Sequence, residues 1–186
     1  GDHRDLHSFP TRRSSDLIGR VLLVARALEK KRIFNSLMEP DGIKIYRNVH
    51  MGIAIALENA LVVPVVRDAN KKRLREISAE IRDLAARARE NRLTETDFIG
   101  GTFTLTNLGG YRSTEHFTPI INPPQAAILG IGRTRDMPAA VDGEVRIRPM
   151  MALSLSHDHR IVDGAPAAEF LGILMRMIEA PYRALY

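Results

Sequence analysis

Apolar side chains recur at positions 18, 21, 22, 25 and 28 in the stretch IGRVLLVARALEKK (18–31). That spacing gathers them on one face of a helix, and the lysines at its end lie where a helix C-terminus favours cations. A second helical pattern fills 71–93, KKRLREISAEIRDLAARARENRL, with Leu74, Ile77, Ile81, Leu84 and Ala88 on one stripe; the remaining face is charged, as in a structural helix with a solvated side. A third helix is predicted over 164–181, with Asp163 in the N-cap position and Pro181 ending it. Between these the pattern is that of strands: 43–46, 49–57 and 61–66, where Pro64 forces an edge or a bulge. A threonine-rich strand bracketed by glycines follows at 100–110, then a short buried strand at 126–132, a hairpin turn at 141–145 and a long strand at 149–159. No repeat of 20–50 residues is visible. Helices mixed with strands around a largely β centre predict an α/β, sandwich-like domain.

Composition narrows this picture. The chain has 186 residues, 45% hydrophobic and 26% charged, which suits one domain with a substantial core. No apolar run approaches the roughly 18 residues of a membrane span, since VLLVARAL is soon cut by charge. No hydrophobic signal segment is present, so secretion gains no support. The absence of cysteine excludes disulfides, thiolate metal sites and a cysteine nucleophile. A formal charge of +5 favours an anionic partner, but aromatics are 5% and basic residues do not cluster. Nucleic acid is therefore poorly supported, and a phosphorylated small molecule fits the mild excess at least as well. Residues 1–17, GDHRDLHSFPTRRSSDL, carry little apolar periodicity and match the in-frame translation of a common short-read sequencing adapter. They are expected to be a non-native leader, with the domain proper at 18–186 and its natural N-terminal part missing. The DHR triplet at Asp2–Arg4 is then accidental.

The chemistry-bearing stretch is SLSHDHRIVDG (154–164). Strand alternation, continued that far, puts His157 and His159 on one face and Asp158 on the other. The strand then gives way to a helix at Asp163–Gly164, and a strand end beside a helix N-terminus is well placed for a site. Other readings remain open here: either histidine as a structural side chain, Asp163 as an N-cap, or His157, His159 and Asp163 as three metal ligands.

DHRIVDGAPAAEFL resembles the signature of the dihydrolipoamide acyltransferases, the core subunits of 2-oxo-acid dehydrogenase complexes, within the H-x-x-x-D-G pattern shared with chloramphenicol acetyltransferase. NVHMGIAI, LVVPVVRDANKKRLREIS, GGTFTLTNLG and FTPIINPPQAAILGIG are similar to the same family in the same order, so the resemblance spans Ile18 to Tyr186. Asp158 before His159 argues against peptide-synthetase condensation domains, which carry two adjacent histidines there.

The resemblance implies a trimeric, chloramphenicol acetyltransferase-like fold, an α+β sandwich with a mixed sheet and flanking helices, that passes an acyl group between dihydrolipoamide and coenzyme A. It implies His159 as general base, Thr106 as hydroxyl donor to the oxyanion, and Asp163 as a structural partner of an arginine upstream of this chain. Coenzyme A is expected near Thr106, Asn107, Gly132 and Thr134, with no metal. Coenzyme A and the lipoyl group are expected to enter from opposite ends of a channel between subunits, with His159 from one chain and Thr106 from its neighbour. Partners implied are a lipoyl domain, the decarboxylase and dihydrolipoamide dehydrogenase subunits, and further trimers whose assembly buries the C-terminal APYRALY; no nucleic acid and no membrane are implied. The expected compartment is the bacterial cytoplasm, with the mitochondrial matrix second. His157 stands where the family carries a bulky aromatic, and LENALVVP departs from an acidic-glycine turn, which leaves the turn near Asn59 open. Phe117 before Thr118 resembles acetyl-transferring members more than succinyl-transferring ones, which more often have serine. Three alternatives are a free-standing acetyltransferase of the chloramphenicol type, an inactive scaffold, and a metal-binding module.

Overall fold

A computed structural model describes residues 11–111 and 113–182. Most of the expected leader, with His3, lies outside them, as do the last four residues of the C-terminal segment. The first helix, α1, runs Thr11–Lys30 and crosses the Leu17–Ile18 junction without interruption. After a 3-10 turn at Arg32–Phe34 come the strands β1 (Ser36–Glu39) and β2 (Gly42–Ile45), which form a hairpin. β3 (Met51–Ile53), β4 (Ile55–Ala56), β5 (Leu61–Val62) and β6 (Val65–Val66) precede the helix α2 (Leu74–Arg89). β7 (Phe103–Asn107), β8 (Ala127–Val141), β9 (Glu144–His157) and the helix α3 (Gly164–Glu179) complete the chain.

The main sheet has the order β6-β3-β7-β8-β9. β3, β7 and β8 run parallel and the two outer strands antiparallel, so the sheet is mixed, as expected. On one face Met51, Ile53, Phe103, Leu105, Ala127, Leu129 and Ile131 are buried with Val21, Val24 and Leu28 of α1 and Phe170 and Leu174 of α3. Phe34 stacks on Phe170 at 4.7 Å between ring centroids, tying the first turn to the last helix. The opposite face carries Thr104, Thr106, Gly130, Ser154 and Ser156, and the segment 114–125 runs over it. The Phe117 ring lies against Gly130, Ser156 Oγ donates to the Pro119 carbonyl at 2.6 Å, and Thr104 Oγ1 donates to Gln125 Oε1 at 2.6 Å.

Several elements differ from the expected ones for physical reasons. The apolar runs 49–57 and 61–66 are each split in two, because one half pairs within the main sheet and the other makes a small separate ladder, β4 with β5. Pro64, which has no N–H to give a ladder, sits at the division, and its carbonyl accepts Ile53 N–H at 2.9 Å. The run 126–132 is only the buried half of a 15-residue strand; the charged, exposed continuation to Val141 is held by pairing with β9. At their junction Asp142 (φ 53°) and Gly143 (φ 81°) both lie in the left-handed region, as a two-residue hairpin turn requires.

Candidate active site

β9 stops at His157, two residues earlier than strand alternation predicted. Asp158 N–H still donates to the Ala126 carbonyl at 2.8 Å, but the Asp158 carbonyl accepts Ile161 N–H at 2.9 Å and Val162 N–H at 3.0 Å. The backbone therefore turns at Asp158, with His159 and Arg160 at the corner, before α3 begins at Gly164. His157 belongs to the strand and His159 to the turn; their ring centroids are 5.7 Å apart and tilted by 34°.

The His159 side chain is 75% exposed and Asp163 is 82% exposed. His159 Nδ1 faces Asp163 Oδ1 at 3.5 Å, an electrostatic contact longer than a hydrogen bond. Asp163 is at the N-cap of α3, yet its side chain makes no capping hydrogen bond, so the carboxylate is turned to His159 instead. With the proton on Nδ1 facing that carboxylate, the Nε2 lone pair is open to accept a proton. Among the described residues no arginine pairs with Asp163, and no three His, Cys, Asp or Glu side chains gather as a metal would need.

Asp158 and Arg160 form a fork beside His159. Asp158 Oδ1 accepts the backbone N–H of Arg160 at 2.9 Å and its Nε at 3.0 Å, while Oδ2 accepts Nη2 at 2.6 Å. These donors hold the Asp158 carboxyl down at about 2. An unbroken strand would have kept Asp158 and Arg160 on the face away from His159, so neither was expected to act with it. The one available signal was the aspartate itself, the residue favoured at the first position of a turn.

Thr106 lies on the loop-covered face of β7, paired with Gly130, which is in turn paired with Ser154. Its hydroxyl makes no hydrogen bond with another described residue. Asn107 is partly buried and its Oδ1 accepts Gly109 N–H at 2.9 Å, closing the turn after the strand. Gly132 is buried at a β8 bulge between Ile131 and Thr134, where a Cβ would overlap the Glu115 carbonyl oxygen. Thr134 is exposed, and Arg20 of α1 points a guanidinium nitrogen at its hydroxyl from 3.4 Å. Within one chain the structure does not bring Thr106 to His159. His157 is three residues along β9 from Ser154 and two strands across from Thr106, or about 14 Å at ordinary strand spacings. His159 lies beyond it.

The catalytic domain of the 2-oxoacid dehydrogenases acyltransferase family matches residues 16–186. The chain is 42% identical over 161 residues to the dihydrolipoyllysine-residue acetyltransferase component of the pyruvate dehydrogenase complex of Rickettsia bellii, covering 87% of this chain and 38% of that protein. It is 46% identical over 152 residues to the succinyltransferase component of the 2-oxoglutarate dehydrogenase complex of the same organism, covering 81% of this chain and 38% of that protein. The chain thus spans less than half the length of these curated relatives. Two solved structures superpose with a TM-score of 0.87 at 35% identity, over 91% of this chain and 70% of each of theirs. One is the cubic core of the pyruvate dehydrogenase multienzyme complex. The other is the dihydrolipoamide acetyltransferase of Azotobacter vinelandii, studied for the roles of a serine, a histidine and an asparagine in its catalytic mechanism. Chloramphenicol acetyltransferase shares the fold, with a TM-score of 0.53 at 17% identity over 87% of this chain and 77% of that one.

Proposed function

Because the chain belongs to the 2-oxoacid dehydrogenase acyltransferase family, by that family's catalytic domain, we propose that it transfers an acetyl group between dihydrolipoamide and coenzyme A. The observation that carries this reading is the His159–Asp163 contact, which leaves an exposed imidazole with Nε2 free at a strand-to-helix junction. A thiol of pKa about 8.5 is within reach of a neutral imidazole near pH 7. His159 Nε2 takes the thiol proton of coenzyme A, and the sulfur attacks the carbonyl carbon of S-acetyl-dihydrolipoamide. The carbonyl oxygen becomes an oxyanion that the Thr106 hydroxyl stabilises by donating a hydrogen bond. Collapse breaks the bond to the lipoyl sulfur, which leaves as the thiol with the proton held by His159. Asp163 keeps Nδ1 protonated and steadies the imidazolium. No acyl-enzyme is needed, and the reverse reaction uses the same groups.

The acetyl preference is supported by Phe117, whose ring occupies the space over Gly130, next to Thr106 on the sheet face. That leaves little room for a longer acyl chain on this side. Coenzyme A fits best along the end of β7 and the bulge of β8, where Asn107 and Gly132 fix the backbone and Thr134 offers an exposed hydroxyl. The distance between Thr106 and His159 within one chain supports a site shared between subunits, hence a homotrimer, which would associate further into a hollow core. Its partners would be a lipoyl domain of the complete protein and the decarboxylase and dihydrolipoamide dehydrogenase subunits, in the bacterial cytoplasm.

In the complete protein, His159→Ala should lower acetyl transfer from acetyl-dihydrolipoamide to coenzyme A by roughly two to four orders of magnitude, as for loss of a placed general base. Thr106→Ala should cost roughly 2.7–4 kcal/mol of transition-state stabilisation, with coenzyme A affinity little changed. Retention of full activity by His159→Ala would overturn the reading.

A further inference from the structure

We propose that Asp158 and Arg160 are a positioning pair for this reaction, locking the turn that aims His159. The proposal rests on the reading of His159 as the base. His159 itself has few holds: its side chain is 75% exposed, and among the described residues it faces Asp163 at 3.5 Å and the His157 ring at 5.7 Å between centroids. A side chain so placed owes its direction to its backbone. That backbone is fixed on both sides by hydrogen bonds through Asp158.

The N–H of Asp158 ties the turn to the start of β8 through Ala126, and its carbonyl closes the turn onto Ile161 and Val162. Its carboxylate takes the backbone N–H and the Nε and Nη2 of Arg160. The Asp158 side chain is 17% exposed and Arg160 is 74% exposed, so the acid is anchored and the guanidinium closes over it. The two flanking residues thereby clamp His159 at the corner from either side, their side chains bound to each other and not to the imidazole. The bidentate geometry requires a planar guanidinium; a lysine ammonium supplies charge without the fork. An imidazole misplaced by about 1 Å loses on the order of a hundredfold in rate while substrate binding is unaffected.

The test uses the complete protein and measures acetyl transfer from acetyl-dihydrolipoamide to coenzyme A. Asp158→Asn and Arg160→Lys are each combined with and without His159→Ala. Either single variant should lower kcat by about ten- to a hundredfold, with KM for coenzyme A within about twofold. In the His159→Ala background the same substitutions should cost nothing further, because they act only through the imidazole. Losses that multiply with that of His159→Ala, or an unchanged kcat in both single variants, overturn the proposal. Should Asp158→Asn prevent folding, Arg160→Lys decides alone, since that side chain is at the surface. Failure of the base assignment would look different: His159→Ala would then keep its activity.

Discussion

His157 Nε2 is buried and meets no hydrogen-bond partner among the described residues, while the neighbouring His159 is open to solvent. An unsatisfied buried polar atom costs about 1–3 kcal/mol, and an apolar ring of similar shape removes that cost. His157→Phe should therefore raise the unfolding free energy by about 1 kcal/mol, read from denaturant midpoints at unchanged slope. Acetyl transfer should stay within about twofold, because the proposed base is its neighbour. A large loss of activity in His157→Phe, with His159→Ala active, would reverse the two assignments. At this scale His159 and Asp163 were legible because they lie within one short segment whose resemblance is specific. The fork of Asp158 and Arg160 was not, since it depends on where β9 ends, and that is set by a backbone turn rather than by alternation.

Strand and helix boundaries repeat the lesson in other terms. The α2 stripe was read correctly at Ile77, Ile81, Leu84 and Ala88, which are buried, but Leu74 at the first turn is 42% exposed. The exposed half of β8 was hidden by charged residues and Pro138, as no core contact dictates its pattern; its partner strand does. The bulge between Ile131 and Thr134 had no sequence signal except Gly132 itself. There Arg133 N–H donates to the Thr114 carbonyl at 3.2 Å and Leu108 N–H to the Ile131 carbonyl at 3.0 Å, so β8 holds both ends of the loop that follows Thr106. A methyl group at Gly132 would overlap the Glu115 carbonyl oxygen, which is backbone and cannot swing aside. Gly132→Ala should therefore destabilise the protein by about 3 kcal/mol, near the upper end for overpacking, and thermal unfolding of the complete protein checks it. A neutral outcome would mean that the 108–116 loop is not held against β8 as described.

Across the whole molecule the two proposed reacting groups lie apart. Thr106 is on the loop-covered face of the sheet, and His159 is past the end of β9, beyond a residue already about 14 Å from Thr106. Groups so placed favour a site assembled from two chains over one within a single chain. A ring of subunits joined head to tail puts a different surface of each chain against its neighbour, so every interface can unite one chain's His159 with the next chain's Thr106. This arrangement makes a quantitative demand on mixed assemblies. Co-expressed at equal amounts, inactive His159→Ala chains and inactive Thr106→Ala chains should assort at random. An interface is intact only when the first chain supplies His159 and the second supplies Thr106, which is about one interface in four for random assortment in a cyclic assembly. Activity should thus return to about a quarter of the wild-type value per site, far above either parent. Differently tagged chains purified in tandem establish that the assemblies are mixed. If mixed assemblies are recovered and their activity remains at the level of the parents, the two groups act within one chain or not together at all, and the shared site is wrong.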